Sequence, residues 1–354
     1  MNILIFSSYF LPHKGGVESY VYQTARRLVK HGHKVWVLTS RLSGMKRAER
    51  IDGIRVIRVP AIDVLPDRLP VQLPLMADIR KMGKIDAIIT HTRFYPLSFI
   101  GGMYAHLNNI PWLHIEHGAK QVHYENPFVR LGSQFVDATT GRWILRHAKV
   151  AGVSKASCNF TKKLGAEKCE ILYNGIDAKF FDGRRKKHKG ISIAFVGRLI
   201  REKGVHDLLS ATKGMKVRVV IVGKGPFEQE LKKLGGTFVG EKNHAQLRDT
   251  LSGSDILVNP SYGEGLPSAV LEAGAMGLAV VATDVGGTRE IIADGKNGYL
   301  VKSGDVKTLR KKLAILVKDA KLRPRFGKAL QKTVREKFNW DKIVDKLEKM
   351  LRSL

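Results

Sequence analysis

Apolar residues fall in short blocks along this chain, each about a strand long and each closed by glycine, proline or a charged turn. The first block, Ile3 to Phe6, predicts a buried strand over residues 2–7. A loop with Pro12, Gly15 and Gly16 follows. Val17, Tyr20, Val21, Thr24 and Leu28 then repeat at helical spacing, predicting a helix over 17–30. After His33 the run Val35, Trp36, Val37, Leu38 predicts a second buried strand. A strand, a glycine turn, a helix and a strand make the opening unit of a doubly wound sheet. Further strands are predicted at 54–59, 87–90, 112–116, 150–153 and 171–173. Residues 183–190 are basic and polar and read as a linker, after which the alternation restarts. Strands are predicted at 191–196, 217–222, 256–259 and 279–282, with a helix over 205–211. Residues 321–354 read as wholly helical. The pattern predicts an α/β chain of two Rossmann-like domains, 1–180 and 181–337, with a C-terminal helix over 338–354 returning to the first.

The chain has 354 residues, more than one core usually serves, and its 44% of apolar residues can fill two. Its longest apolar runs fall short of the ~20 residues of a membrane span. The first residues read as a strand and not as a signal peptide. Cys158 and Cys169 are expected to be free thiols of a cytoplasmic protein. Lys and Arg total 61 against 32 Asp and Glu, a net charge of +29. Such a field attracts nucleic acid, anionic lipid or phosphorylated substrates, or merely solubilises the chain.

The residues that carry chemistry lie at predicted strand ends. Glu264 stands among Gly263, Gly265 and Pro267, and Glu272 follows with seven residues between the two glutamates. Pro267 suits the first position of a helix, where its missing N–H costs nothing. Glu264 therefore lies on a loop at the helix start and Glu272 inside the helix. A helix N-terminus suits a phosphate, and a carboxylate beside it can accept sugar hydroxyls. Two unrelated surface glutamates are the plainer alternative. Arg198 follows a strand directly and Lys203 opens the next helix, where two cations could hold a diphosphate or simply be solvated. Gly15 and Gly16 allow close backbone approach but lack the dinucleotide fingerprint. His114 and Glu116 share one strand face, with His117 at the strand end. No metal-ligand cluster and no Asp-x-Asp is present, so no metal is expected.

Taken in order along the chain, the Gly15-Gly16 pair, His117-Gly118, Gly197-Arg198 with Lys203-Gly204, and the Glu264/Glu272 spacing resemble the retaining glycosyltransferases of family 4, which have the GT-B fold. Asn174-Gly175 and Gly286-Gly287 with Glu290 add to the resemblance, which covers essentially the whole chain. It implies two domains facing across a cleft. It implies that Arg198 and Lys203 hold the donor diphosphate, that Glu272 binds the ribose and that Glu264 contacts the transferred sugar. His117 is then expected beside the anomeric centre. Gly15, Gly16, Ser268 and Ala269 are expected to reach the phosphates through their amides, with Leu266 packing nearby. The resemblance implies retention of anomeric configuration, a UDP-, GDP- or ADP-sugar donor, and neither metal nor other cofactor. The catalytic set is thus expected to be His117, Glu264, Arg198 and Lys203.

Residues 128–147 mix Phe128, Val129, Leu131, Phe135, Val136, Trp143, Ile144 and Leu145 with Arg130, Arg142 and Arg146. This predicts an amphipathic helix able to lie on an anionic membrane surface, or else to pack into the first domain. With the basic surplus it suggests work at the inner face of a membrane on a lipid-linked or other glycan acceptor. A nucleotide-sugar epimerase, a phosphorylase and a basic nucleic-acid-binding protein are the competing classes; the motif set disfavours the first and last, length and the lack of a site for a lysine-bound cofactor disfavour the second, and no nucleic-acid partner is expected.

Overall fold

The computed structural model describes residues 1–354 except 14, 43, 66–68, 73–78, 80, 81, 122–126, 183–185 and 187, with the backbone alone of 63–65, 69–72 and 127–129. The chain divides into two compact units, Met1–Asn174 with Trp340–Leu354, and Gly175–Asn339.

The first unit is built on β1 (Asn2–Phe6), β2 (Lys34–Arg41), β3 (Ala48–Ile51), β4 (Ile54–Leu65), β5 (Leu69–Gln72), β6 (Ala87–His91), β7 (Trp112–Glu116), β8 (Lys149–Gly152) and β9 (Glu170–Ile171). They lie in the order β3-β4-β2-β1-β6-β7-β8-β9, with β5 paired to β4. Every pair is parallel except β3 with β4 and β4 with β5. The blocks read from the sequence are buried on both faces, as a covered parallel sheet requires: Ile3, Leu4, Ile5 and Phe6 are all inaccessible. Helices Gly16–Lys30 and Pro96–Leu107 help to cover the sheet. Leu4, Phe6, Trp36, Ile88, Trp112 and Ile144 form one core, each contributing roughly 1.5–3 kcal/mol by burial.

The second unit holds β10 (Ile191–Val196), β11 (Val217–Val222), β12 (Thr237–Phe238), β13 (Ile256–Asn259), β14 (Ala279–Thr283) and β15 (Tyr299–Val301). Their order is β12-β11-β10-β13-β14-β15, wholly parallel. In both units the first strand sits between one that follows it directly and one that comes after a crossover. β1 lies between β2 and β6, and β10 between β11 and β13. Ligands of open parallel sheets bind outside the carboxyl ends at such reversals.

The predicted single C-terminal helix is two: Leu322–Lys337 and Trp340–Arg352. The Phe338 carbonyl is drawn out of the helical ladder to accept the Ile176 N–H at 2.8 Å, and Ile176 bridges Asn339. The last helix belongs to the first unit, burying Trp340, Ile343, Val344, Leu347 and Met350. Its Trp340 ring meets Tyr20 edge-on at 5.4 Å, and Glu348 takes His31 at 2.9 Å and His33 at 3.1 Å. The segment 128–147 is likewise two helices, Pro127–Ala138 and Thr140–His147. The second turns Ile144 and Leu145 into the core, whereas the first leaves Leu131 and Phe135 65% and 68% exposed.

Cys158 and Cys169 are not free thiols. Their Cα atoms stand 5.4 Å apart and the sulfurs are bonded. Helix Lys155–Leu164 brings Cys158 beside the β9 backbone, which juxtaposes two positions that spacing alone left unpaired. Among the described residues no helix is long and apolar enough to cross a membrane.

Candidate active site

In the second unit the loop after β10 and the loop after β13 lie side by side at the sheet reversal. The link is backbone: the Tyr262 N–H donates to the Glu202 carbonyl at 2.8 Å. Gly204 adopts φ +66 and backs onto the Pro260 carbonyl, where any Cβ would collide. Only glycine combines that torsion with that approach. The consequence is a contact between side chains far apart in sequence: Lys203 Nζ lies 2.6 Å from Glu264 Oε1. The Ser261 hydroxyl donates to the same oxygen at 2.6 Å. Lys203 does not open a helix as expected. It closes a single 3₁₀ turn, Arg201–Lys203, and Gly204 separates it from helix Val205–Thr212. Arg198 stands exposed at the end of β10 and, among the described residues, unpaired.

The Glu264 loop is braced from behind. Gly286, at φ +55, packs directly against the Glu264 carbonyl, and the Gly287 N–H donates to the Gly265 carbonyl at 2.9 Å. The loop feeds helix Ser268–Ala275. Pro267 is its N-cap and not its first helical residue, because ψ 109 leaves it extended. The Val270 and Leu271 N–H groups return to the Pro267 carbonyl. That leaves the Ser268 and Ala269 amides without intrahelical acceptors. Leu266, on the same loop, is buried. Glu272 sits one turn in, 8% exposed, and burial pushes its carboxyl up to about 7.

In the first unit β6 ends in His91, and His117 follows β7. His91 Nδ1 lies 3.0 Å from His117 Nε2. The Tyr20 ring sets its edge to both, 4.9 Å from His117 and 5.9 Å from His91. Burial drives the His117 imidazole down to about 4, with Glu116 and Glu18 opposing and His114 assisting; His91 is lowered well below the ordinary histidine range, also chiefly by burial. Both are neutral at physiological pH. Beneath them His114 and Glu116 share one strand face, 3.8 Å apart and both inaccessible. Burial alone would raise the Glu116 carboxyl. Arg93 at 2.8 Å, His114 and the Gly118 N–H outweigh it and hold the group far below the carboxylate range. Arg93 also meets Asp137 at 2.9 Å and lies over the Phe160 ring. This buried network ties the loop after β6 to the end of β7, which fixes His117.

Gly15 and Gly16 begin helix Gly16–Lys30. Gly15 is extended, and the Glu18 carboxylate folds back to where its Cβ would be, while Gly16 faces open space. Glu18 is itself buried and stands 3.5 Å from His13. Of the expected residues the structure brings Lys203 and Glu264 into contact in the second unit, with Leu266, Ser268, Ala269 and Glu272 on the same loop and helix as Glu264 and Arg198 past the end of β10. In the first unit Gly15 and Gly16 start the helix whose Tyr20 packs on His117.

Compared with known proteins, residues 14–180 match the family described as Glycosyltransferase Family 4, and residues 177–333 match Glycosyl transferases group 1. An uncharacterized glycosyltransferase of Methanocaldococcus jannaschii is 30% identical over 390 aligned positions, covering 100% of this chain and 99% of its own. The chain belongs to the group 1 glycosyltransferases. A GDP-mannose-dependent alpha-mannosyltransferase of Mycobacterium tuberculosis is 27% identical, covering 98% of this chain and 95% of that protein. The solved sucrose-phosphate synthase of Thermosynechococcus elongatus superposes with a TM-score of 0.82 at 22% identity, covering 99% and 98%. It shares the fold: two Rossmann-like domains of the GT-B type.

Sequence reasoning missed several residues of this glycosyltransferase. His91 and Arg93 were visible as polar residues just past a buried strand, the signal that singled out His117. Ser261 carried no such mark, and Gly286 was marked only as part of a motif, because their partner is a loop that only the sheet order brings near.

Proposed function

We propose that this glycosyltransferase moves a sugar from a nucleoside-diphosphate sugar to a glycan or lipid-linked acceptor, with retention and without a metal. The observation that carries the reading is the Lys203–Glu264 contact at 2.6 Å, with Glu264 on the loop that feeds the open start of helix Ser268–Ala275 and exposed Arg198 past the end of β10. Cations and unpaired amides beside a carboxylate that can meet a sugar suit a donor that is a diphosphate at one end and a hexose at the other.

In the reaction the bond from the anomeric carbon to the β-phosphate oxygen breaks. Negative charge collects on that phosphate, where Arg198, Lys203 and the Ser268 and Ala269 amides stabilise it. The acceptor hydroxyl attacks from the same face and forms the new bond to the anomeric carbon. Its proton passes to a departing phosphate oxygen. No carboxylate nucleophile is assigned, so the carboxylate pairing of glycosidases does not apply. Glu272 accepts the ribose hydroxyls. Glu264, held by Lys203 and Ser261, and His117 contact the transferred sugar. Gly15 and Gly16 are assigned to the same donor.

The test is a donor screen with UDP-, GDP- and ADP-sugars, reading nucleotide release and thermal shift in wild type and Glu272→Ala, with the product anomer read by NMR. One donor should stabilise the wild type and release nucleotide, and Glu272→Ala should lose the shift. Equal shifts in both proteins, or an inverted product, would overturn the assignment. Activity should persist in chelator; loss restored by magnesium would remove the metal-free mechanism.

The acceptor is proposed to lie at an anionic membrane face. Leu131 and Phe135, four residues apart and exposed on one helix that also carries exposed Arg130, support this. An apolar pair beside a cation suits an anionic interface.

A further inference from the structure

Two neutral imidazoles 3.0 Å apart pose a question of hydrogen placement. His91 Nδ1 and His117 Nε2 face each other, so one must carry a hydrogen and the other a lone pair. The far nitrogens decide which. His91 Nε2 is buried and, among the described residues, has no hydrogen-bond partner. His117 is only partly buried, and its Nδ1 makes no hydrogen bond among the described residues.

Consider first His117 Nε2 as donor. His91 must then accept at Nδ1 and carry its hydrogen on Nε2, leaving a buried N–H with nothing to receive it. An orphaned buried N–H is the rarer and costlier defect. With His91 Nδ1 as donor, the buried Nε2 is a bare lone pair, and His117 carries its hydrogen on the open Nδ1. Tyr20 holds the pair in place: it is inaccessible and meets the rings at 84° and 65°, which blocks the ring turn that would exchange the two nitrogens.

We propose that His91 is a positioning residue: it donates its Nδ1–H to His117 and so fixes His117 as the Nδ1–H tautomer, which presents a neutral N–H donor to an oxygen of the transferred sugar. The proposal rests on the assignment of His117 to that sugar. It also makes His117 unable to act as a base, since its only lone pair is taken by His91. The acceptor proton must then leave by another route, which agrees with its transfer to the departing phosphate.

The test uses the full-length protein labelled with ¹⁵N-histidine, with His91 and His117 resonances assigned by substitution. Long-range proton–nitrogen spectra at neutral pH should show His117 protonated on Nδ1 and bare on Nε2. In His91→Leu the Nε2–H form should appear, and kcat should fall by ~10-fold or more with donor KM little changed, as enzymes with a misset tautomer behave. His91→Asn, whose amide N–H falls near the place of Nδ1–H, should restore the tautomer and most of the lost turnover. A wild-type His117 protonated on Nε2, or a His91→Leu protein whose His117 tautomer is unchanged, would overturn the proposal. Full turnover in His117→Ala would overturn its catalytic half. Failure of the underlying glycosyl-transfer reading shows differently, as no nucleotide release from any donor by the wild type, and the spectra still decide the tautomer.

Discussion

Lys203 Nζ lies 2.6 Å from Glu264 Oε1, an oxygen that also receives the Ser261 hydroxyl at the same distance. The contact spans 61 positions of sequence. It aims a cation and a carboxylate at the carboxyl ends of β10 and β13, and it gives each residue a job that depends on the other. Removing Lys203 should therefore do more than delete a charge, because Glu264 loses a partner that orients it. Lys203→Ala and Arg198→Ala are each expected to lower kcat by ~10²-fold, the scale for one lost stabiliser of transition-state charge. Steady-state kinetics beside thermal melts check this: turnover should fall while the melting temperature of Arg198→Ala, an exposed site, stays put.

The buried Glu272 carboxyl, pushed up to about 7 from an ordinary 4.5, makes stability fall with pH. Because the native pKa is raised, the protonated form favours folding. That contribution is fully present below 4.5 and is lost as pH rises through about 7. The shift corresponds to about 3 kcal/mol. Glu272→Gln should accordingly melt higher than wild type at pH ~8, well above that transition, yet bind UDP or GDP more weakly by roughly 1.5–3 kcal/mol. Calorimetry in buffers of differing ionisation heat should show proton release on nucleotide binding near pH 7 in wild type and less of it in Glu272→Gln. Equal proton release in the two proteins would remove Glu272 from the nucleotide site.

Gly286→Ala puts a methyl group against the Glu264 carbonyl at a positive φ. The left-handed conformation alone costs roughly 1–2 kcal/mol for a residue with a Cβ, and the collision adds to it. Urea titration should show a loss of more than about 2 kcal/mol. Turnover of the folded fraction should drop as well, since the loop carrying Glu264 must move.

The Glu348 carboxylate joins His31, His33 and Arg352. Hydrogen bonds from Arg352 and His31, followed by His33, hold its carboxyl down at about 2 against an ordinary 4.5. The depressed value means its stabilisation is present above 4.5 and is lost as pH falls toward 2. Glu348→Gln should cost about 1 kcal/mol at pH 7, the upper range for partly exposed ion pairs, and should flatten the acid limb of the stability curve. Thermal melts of both proteins across that range decide it.

Leu131→Ser with Phe135→Ser is expected to cut cosedimentation with anionic vesicles by ~10-fold, because two exposed apolar side chains lose their burial at the interface. Wild-type binding should weaken at high salt and vanish on neutral vesicles. Equal absence of binding to both vesicle types, with full activity on a water-soluble acceptor, would leave the acceptor in solution.

Much of this protein was legible in one dimension. Parallel strands buried on both faces must be nearly all apolar, so Ile3–Phe6, 193–196 and 219–222 stand out as continuous blocks, and their alternation with helical spacing fixes the α/β class. Glycines and cations just past those blocks marked the strand ends, which is how Arg198, Lys203, His117 and the Glu264/Glu272 helix came into view. What the sequence could not determine were relations across the sheet. That Lys203 meets Glu264, that Gly286 braces its loop, that His91 holds His117 and that Cys158 reaches Cys169 all depend on which strands and helices lie side by side, and no local periodicity encodes that. The same holds for the two helices within 128–147. Both are amphipathic by spacing, yet only the packed core decides that Ile144 and Leu145 are covered while Leu131 and Phe135 face water, because burial belongs to a side chain's neighbours and not to its place in the chain.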